Sequence, residues 1–264
     1  FSKTKGFIMS GVVITASGVD ASANNIGLVL PYATNCEAFG ILGGTTARSQ
    51  KNYALGKTDF TLVGSPTISA NSVEFQNVSK WLQTSIAEPD DFTFVVICST
   101  AKQNGYYITN TGTTRTGAPL VYPLGVQLRA ISQGGSPTNN LLSSAVGYYD
   151  GTTLGAAGGI GTPSLIRIAS VGNRCIASRF NNSTQILKTN DLTAGDSSSV
   201  GSPTGVRDKC GNLRVGSSYL SSGSMSDPMD ILGFAIYSEA LSDENLALVY
   251  NWFKTYYARR GISI

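Results

Sequence analysis

"ILGFAIYSEALSDENLALVYNWF", residues 231–253, changes its hydrophobic period halfway. Met229–Tyr237 is apolar on both faces except at Asp230, the pattern of a strand covered from both sides. Ser242 then has the chemistry of a helix N-cap, and Asp243 and Glu244 follow where the helix dipole favours negative charge. Leu241 and Leu246 have the spacing of a hydrophobic staple. Leu246, Val249, Tyr250, Phe253 and Tyr257 recur at steps of three and four and predict one apolar helix face. Arg259 and Arg260 suit the C-terminal end of that helix, and Gly261 can take the left-handed stop.

Nearly everything before this helix reads as strand and turn. In "FTFVVICST" Phe92, Phe94, Val96 and Cys98 point one way, while Thr93, Val95, Ile97 and Ser99 point the other. Further strands are expected at Tyr106–Asn110, Leu124–Ile131, Ser144–Tyr149, Ser164–Val171, Arg174–Phe180 and Asn212–Val215. Turn signals recur at Gly134-Gly135, Asp150-Gly151, Asn181-Asn182 and Cys210-Gly211. No repeat of fixed period is present, which argues against a β-helix or propeller. A lone capped helix after so many strands packs on the outside of a β architecture. It does not belong to an alternating α/β fold.

Length and composition fit one large β domain or two small ones. The chain has 264 residues; only 13% are charged and 41% are apolar, so it can bury a core and is not a disordered composition. A net charge of +3 is too small and too scattered to argue for nucleic acid. The densest apolar run, Phe94–Cys98, is far too short to insert into a membrane. Because the sequence starts at Phe1, it reads as a fragment of a longer chain.

The chain contains no histidine. That removes Ser-His-Asp and Cys-His catalysis, His-based zinc sites and the usual neutral-pH general base. Cys36, Cys98, Cys175 and Cys210 form no C-x-x-C pair, so neither a metal site nor a redox motif is expected. Cys98 reads as a small buried thiol, and a Cys175–Cys210 disulfide stays open.

Several blocks together resemble a known family. In order they are "SPTISANSVEFQNVSKWLQTS", "DDFTFVVIC", "LIRIASVGNRCIASRFNNST", "NLRVGSSYLSSG" and "DILGFAIYSEALSDENLALVYNWFKTYYARRGI". They are similar to the laminin-G-like, concanavalin A-like jelly rolls at the ends of bacteriophage tail fibres and tailspikes. The most specific part is the last block, in which a strand runs through "IYS-x-ALS-x-E" into the terminal helix. The likeness spans residues 36–264; residues 1–35 lie outside it, as an N-terminal extension or a connector to a preceding fibre region. The resemblance implies an all-β, two-sheet antiparallel sandwich with one C-terminal α-helix. It also implies a module on the virion that binds a bacterial surface glycan, capsule or lipopolysaccharide, for host attachment. Other fibre subunits, in a homotrimer, would be its protein partners.

Fold does not decide function. Glucanases of related sandwich architecture carry catalytic carboxylates alternating along one strand as E-x-D-x-E, and glycoside hydrolysis needs two carboxyls about 5–10 Å apart. No such alternation occurs. The acidic clusters are Glu88/Asp90/Asp91, Asp227/Asp230 and Asp243/Glu244, and each reads as structural or solvated. No catalytic residue, metal or cofactor is therefore expected. A laminin-G analogy would put calcium at Asp150 or Asp227, but no dense oxygen-ligand loop accompanies either. A depolymerase or esterase with a site assembled from distant loops is the enzymatic alternative, and a purely structural fibre tip is the third reading.

Sugars bind through aromatic faces, with amides and carboxylates taking the hydroxyls. "KQNGYYITN" and "AVGYYDGT" combine these groups most densely. The expected ligand-binding residues are Tyr106, Tyr107, Tyr148, Tyr149 and Asp150. Tyr219 in "SSYLSSG" is a weaker loop candidate, and Trp81 and Trp252 are expected in the core.

Overall fold

A computed structural model describes residues 28–100, 104–112, 125–132, 140–149, 159–160, 163–168, 170–201, 206–207, 209–220, 225 and 227–264. In chain order the elements are β1 (Cys36–Ile41), α1 (Thr46–Gln50), β2 (Thr61–Val63), β3 (Thr67–Ile68), β4 (Val73–Phe75), β5 (Trp81–Gln83) and β6 (Phe92–Ser99). Then follow β7 (Gly105–Thr109), β8 (Val126–Ser132), β9 (Asn140–Tyr149), β10 (Gly159–Ile160), β11 (Ser164–Arg167) and β12 (Asn173–Asn181). The last are β13 (Ile186–Asp191), β14 (Asp196–Gly201), β15 (Val206–Arg207), β16 (Arg214–Val215), β17 (Met229–Tyr237) and α2 (Asp243–Ala258).

The strands form two antiparallel sheets. The first runs β14-β13-β12-β6-β17-β4-β3, with β1 also on β17. The second runs β10-β9-β8-β7-β16-β5-β2, with β11 and β15 also on β9. The expected two-sheet sandwich with a single long C-terminal helix is the observed architecture.

Two cores hold it together, and β6 lies between them. Phe92, Phe94, Val96 and Cys98 enter the core between the sheets, where Phe92 and Phe94 stack 4.3 Å apart. Val95 and Ile97 enter the second core, beneath α2. Neighbouring β17 divides in the same way: Met229, Ile231, Phe234 and Ile236 point between the sheets, and Leu232, Ala235 and Tyr237 point toward the helix. Both strands are apolar on two faces because each face meets its own core.

The helix is built as its sequence dictates. Ser242 Oγ accepts the Asn245 N–H at 3.2 Å, and Leu246, Val249, Phe253 and Tyr257 are buried. Tyr250 is half-buried, and Gly261 has φ +73°. Arg260 donates to the Tyr256 carbonyl at 3.2 Å. Gly233 permits the close approach: a Cβ there would lie 2.7 Å from the Tyr257 hydroxyl, which instead donates to the Leu232 carbonyl. Of the N-terminal 35 residues, Leu28, Leu30 and Tyr32 pack against this second core.

Several elements were not anticipated from sequence, among them β14 and α1. β13 and β14 form a hairpin in the polar stretch 186–201, closed by Gly195 at φ +80° and by Asp191 Oδ1 accepting the Ala194 N–H. Serine-rich β14 is exposed along much of its length and gains strand geometry only by pairing with β13. α1 is a single turn, N-capped by Thr45 within a stretch expected to hold only strands and glycine turns. β9 also begins four residues earlier than expected, at Asn140.

All four cysteines are buried and no disulfide joins them, so the Cys175–Cys210 bond left open above is absent. Cys175 lies in the apolar core beneath α2, whereas Cys210 is buried beside Glu88, to which its N–H donates.

Candidate functional site

Strand alternation on the outer face of the second sheet decides which side chains can meet a ligand. Leu82 on β5 and Val215 on β16 point into the core, so their neighbours Trp81, Gln83 and Arg214 point out. Arg214 lies opposite Gln83 in the β5–β16 pairing. The loop after β16 then turns back and brings Tyr219 to the same place.

These four residues form one half-buried cluster. The Arg214 guanidinium carbon lies 4.3 Å from the Trp81 ring centroid and 3.4 Å from that of Tyr219. Gln83 is its hub. Its Oε1 accepts Arg214 Nε–H at 3.0 Å and Trp81 Nε1–H at 3.4 Å, while its Nε2 donates to the Tyr219 hydroxyl at 3.0 Å. Arg214 Nη1 donates to the Ser218 carbonyl at 2.8 Å, and the Tyr219 hydroxyl donates to the Asn212 carbonyl at 2.9 Å. Burial pulls the Arg214 pKa down from the ordinary arginine range and Tyr219 pulls it back, leaving a cation with part of its hydration removed. Cation–π contacts of this kind strengthen as they lose water.

The sheet continues the polar face past this cluster. Tyr106 on β7 lies opposite Arg129 on β8, and burial pushes its hydroxyl pKa up while nearby Arg129 and Ser218 draw it back. The Ser218 carbonyl meets Arg214, and its hydroxyl donates to Asn77 Oδ1 at 3.0 Å. Beneath them Gln127 Oε1, Arg129 Nε and Ser143 Oγ are buried without a hydrogen-bond partner.

The tyrosines singled out in the sequence sit elsewhere. Tyr107 is fully buried in the central core, with burial pushing its hydroxyl pKa well up. Tyr148 is also buried in that core and donates to Gln185 Oε1 at 3.2 Å. Tyr106 faces outward from the strand but is only 4% exposed. A bulge between Tyr106 and Ile108 turns both Tyr107 and Ile108 inward. None of these three rings presents a face for stacking. Tyr149 pairs through its backbone with Val206, and Asp150 lies outside the described residues. The two tyrosine pairs lie on β7 and β9, with β8 between them. Trp81, expected in the core, is instead half-buried on the outer face, whereas Trp252 packs against the second core. Arg214 and Gln83 carried no warning in the sequence beyond the W-x-Q and L-R-V alternations.

The acidic clusters have structural partners. Glu88 is buried and pairs with Arg207, accepting also from Asn110 Nδ2 at 2.7 Å and the Cys210 N–H at 3.1 Å. Burial pushes its carboxyl pKa up against the opposing pull of those donors. Asp91 accepts the Asn182 N–H at 2.6 Å, Asp90 meets Lys209 at 2.5 Å, and Asp227 accepts the Asn104 N–H at 3.0 Å. Asp243 bonds Arg179 at 2.6 Å. Among the described residues no three His, Cys, Asp or Glu side chains gather as metal ligands would.

Two clefts lie away from the cluster. One, of about 390 Å³, is lined by Glu37, Lys57, Thr58, Ser85 and Ser238, but Glu37 and Lys57 neutralise each other at 2.5 Å. The other, of about 200 Å³, lies between Arg179, Lys188, Ile186 and Leu241.

Neither a family model nor a curated protein matches this sequence. Solved structures match by fold. The binding domain of botulinum neurotoxin DC in complex with SialylT is 9% identical at a TM-score of 0.53, over 83% of this chain and 52% of that one. A Trypanosoma rangeli sialidase in complex with sialic acid is 11% identical at a TM-score of 0.53, over 85% of this chain and 34% of that one. The binding domain of Paraclostridial Mosquitocidal Protein 1 is 12% identical at a TM-score of 0.52, over 84% and 52%. The chain thus spans about a third to a half of the structures it matches, and at these identities the likeness is one of fold.

Proposed function

We propose that this chain is a non-catalytic glycan-binding module, the receptor-recognising end of a phage tail fibre that reads a bacterial surface polysaccharide. The observation that carries this reading is the cluster of Trp81, Gln83, Arg214 and Tyr219. It sets two partly exposed aromatic rings and a guanidinium on one sheet face, held rigid by hydrogen bonds. Aromatic faces for sugar C–H surfaces beside fixed polar donors are the chemistry of a glycan site. Proteins with a similar fold were solved with sialylated ligands, which supports the reading. The sequence blocks that resemble tail-fibre jelly rolls supply the virion setting and a homotrimer, in which weak sites engaged together would multiply their effect. Light scattering should then give a trimeric mass at micromolar concentration, and a monomeric mass would remove the trimer from this reading.

The test is retention of the protein on a panel of purified bacterial surface polysaccharides, with product analysis. Retention without chain shortening or acetate release is expected. Trp81→Ala and Tyr219→Ala should each weaken retention by about 1–2 kcal/mol, the size of an aromatic contact with its buried area, while melting near the parent temperature. Turnover of any polysaccharide would replace the binding role with a depolymerase or esterase. Retention on none would leave the cluster a structural feature.

A further inference from the structure

We infer that the outer face of the second sheet selects acidic glycans, Arg129 and Arg214 taking sugar carboxylates along a polymer; this rests on the glycan-binding reading above. Arg174, Arg179 and Arg207 each face a carboxylate, from Asp191, Asp243 and Glu88. Arg129 and Arg214 do not: among the described residues their partners are uncharged side chains, carbonyls and rings. Two guanidiniums that face no carboxylate among the described residues, both half-buried on one sheet face, make a local positive field that composition conceals.

Geometry makes the charge usable. Arg214 has committed Nε–H to Gln83 and one Nη1–H to Ser218, so the Nη2 pair of its five donors is unspent. The two rings and Gln83 hold the guanidinium plane in place, which lowers the ordering cost of a two-pronged bond to a carboxylate. Arg129 lies opposite Tyr106 in the β7–β8 pairing, and its buried Nε–H has no acceptor among the described residues. Gln127 Oε1 and Ser143 Oγ, 4% and 0% exposed by residue, are likewise unsatisfied on this face. Buried polar groups without partners are costly, and an intervening water would satisfy them.

The spacing suits a chain. Two strand steps and a stagger of two to three residues put the Arg129 and Arg214 backbones about 12 Å apart, with β7 and its Tyr106 between them. That distance is longer than one sugar ring. Trp81 and Tyr219 at one end then supply stacking surface, and the arginines supply charge selection.

The probe is a panel of purified bacterial polysaccharides, neutral and uronic-acid-containing. Each acidic member is tested native and after chemical reduction of its carboxyls to alcohols. The parent protein should retain native acidic polymers, lose them on carboxyl reduction, and weaken steeply as salt is raised. Arg214→Gln should weaken binding about tenfold or more, as for loss of a charge-assisted pair. Arg129→Gln should also weaken it, and both variants should melt near the parent temperature. If either variant melts early, Arg214→Lys and Arg129→Lys keep the charge: partial retention on native polymer supports the assignment. Equal retention of native and reduced polymer, or of neutral polymers, overturns acid selection and leaves glycan binding standing. Retention of no polymer overturns both readings.

Discussion

The rings of Phe39 and Phe253 lie parallel, 4.8 Å between centroids and 1° between planes, and join β1 to the terminal helix. Trp252 meets Phe39 edge-on at 4.9 Å, so the same ring receives two residues of α2. Both phenylalanines are fully buried. Phe253→Ala should cost about 3–5 kcal/mol in denaturant unfolding, the usual range for deleting a buried aromatic ring. Phe253→Leu should cost less, because most of the volume is kept. A loss under about 1 kcal/mol for the alanine variant, typical of exposed sites, would contradict this packing.

Glu88 stands between two segments distant in sequence, receiving Arg207, Asn110 and the Cys210 N–H. Glu88→Ala would leave a buried guanidinium and amide without their acceptor. The expected loss is about 3–5 kcal/mol, as for removing one member of a buried pair. Glu88→Gln keeps an acceptor oxygen and should be milder. Equal stability of the parent and alanine proteins by chemical denaturation would show that the pair is not structural.

Asp243 starts α2 and bonds Arg179, which holds its carboxyl below the usual aspartate range. A carboxyl whose folded pKa is lowered contributes stability above its unfolded pKa and loses it as pH falls through the folded one. Because the side chain is mostly exposed, the contribution is under about 1 kcal/mol. Asp243→Asn should lower stability slightly at neutral pH and leave it unchanged at strongly acid pH. Melting curves of the two proteins should therefore converge on acidification, and a constant gap across pH would refute the linkage.

Burial pushes the Cys36 and Cys98 thiols up to about 12, and Cys175 shifts in the same direction for the same reason. Protonated, buried thiols are poor nucleophiles. A thiol reagent at neutral pH should label the native protein slowly and titrate four thiols after denaturation without reductant. Two thiols in the denatured protein would reveal a disulfide.

Local sequence determined the terminal helix and the two strands that support it. Ser242, the 3–4 spacing of Leu246 to Tyr257, and Gly261 act within a few residues of one another. The two-sided apolarity of β6 and β17 announced a strand covered twice, and the covering element was the helix itself. β14 escaped notice because it holds few apolar side chains, and a strand made by backbone pairing leaves little periodicity to read. The tyrosines show the same boundary. Adjacent Tyr106 and Tyr107 read in sequence as a sugar-binding pair at a strand start, yet alternation and a bulge send one to the core and leave the other only 4% exposed. Only the tertiary structure brought Trp81, Gln83, Arg214 and Tyr219 together, because Gln83 and Arg214 are 131 positions apart and meet through the β5–β16 register. Helix caps and strand faces arise from short-range sterics and periodicity, whereas a site made across two strands depends on long-range pairing that neither segment encodes alone.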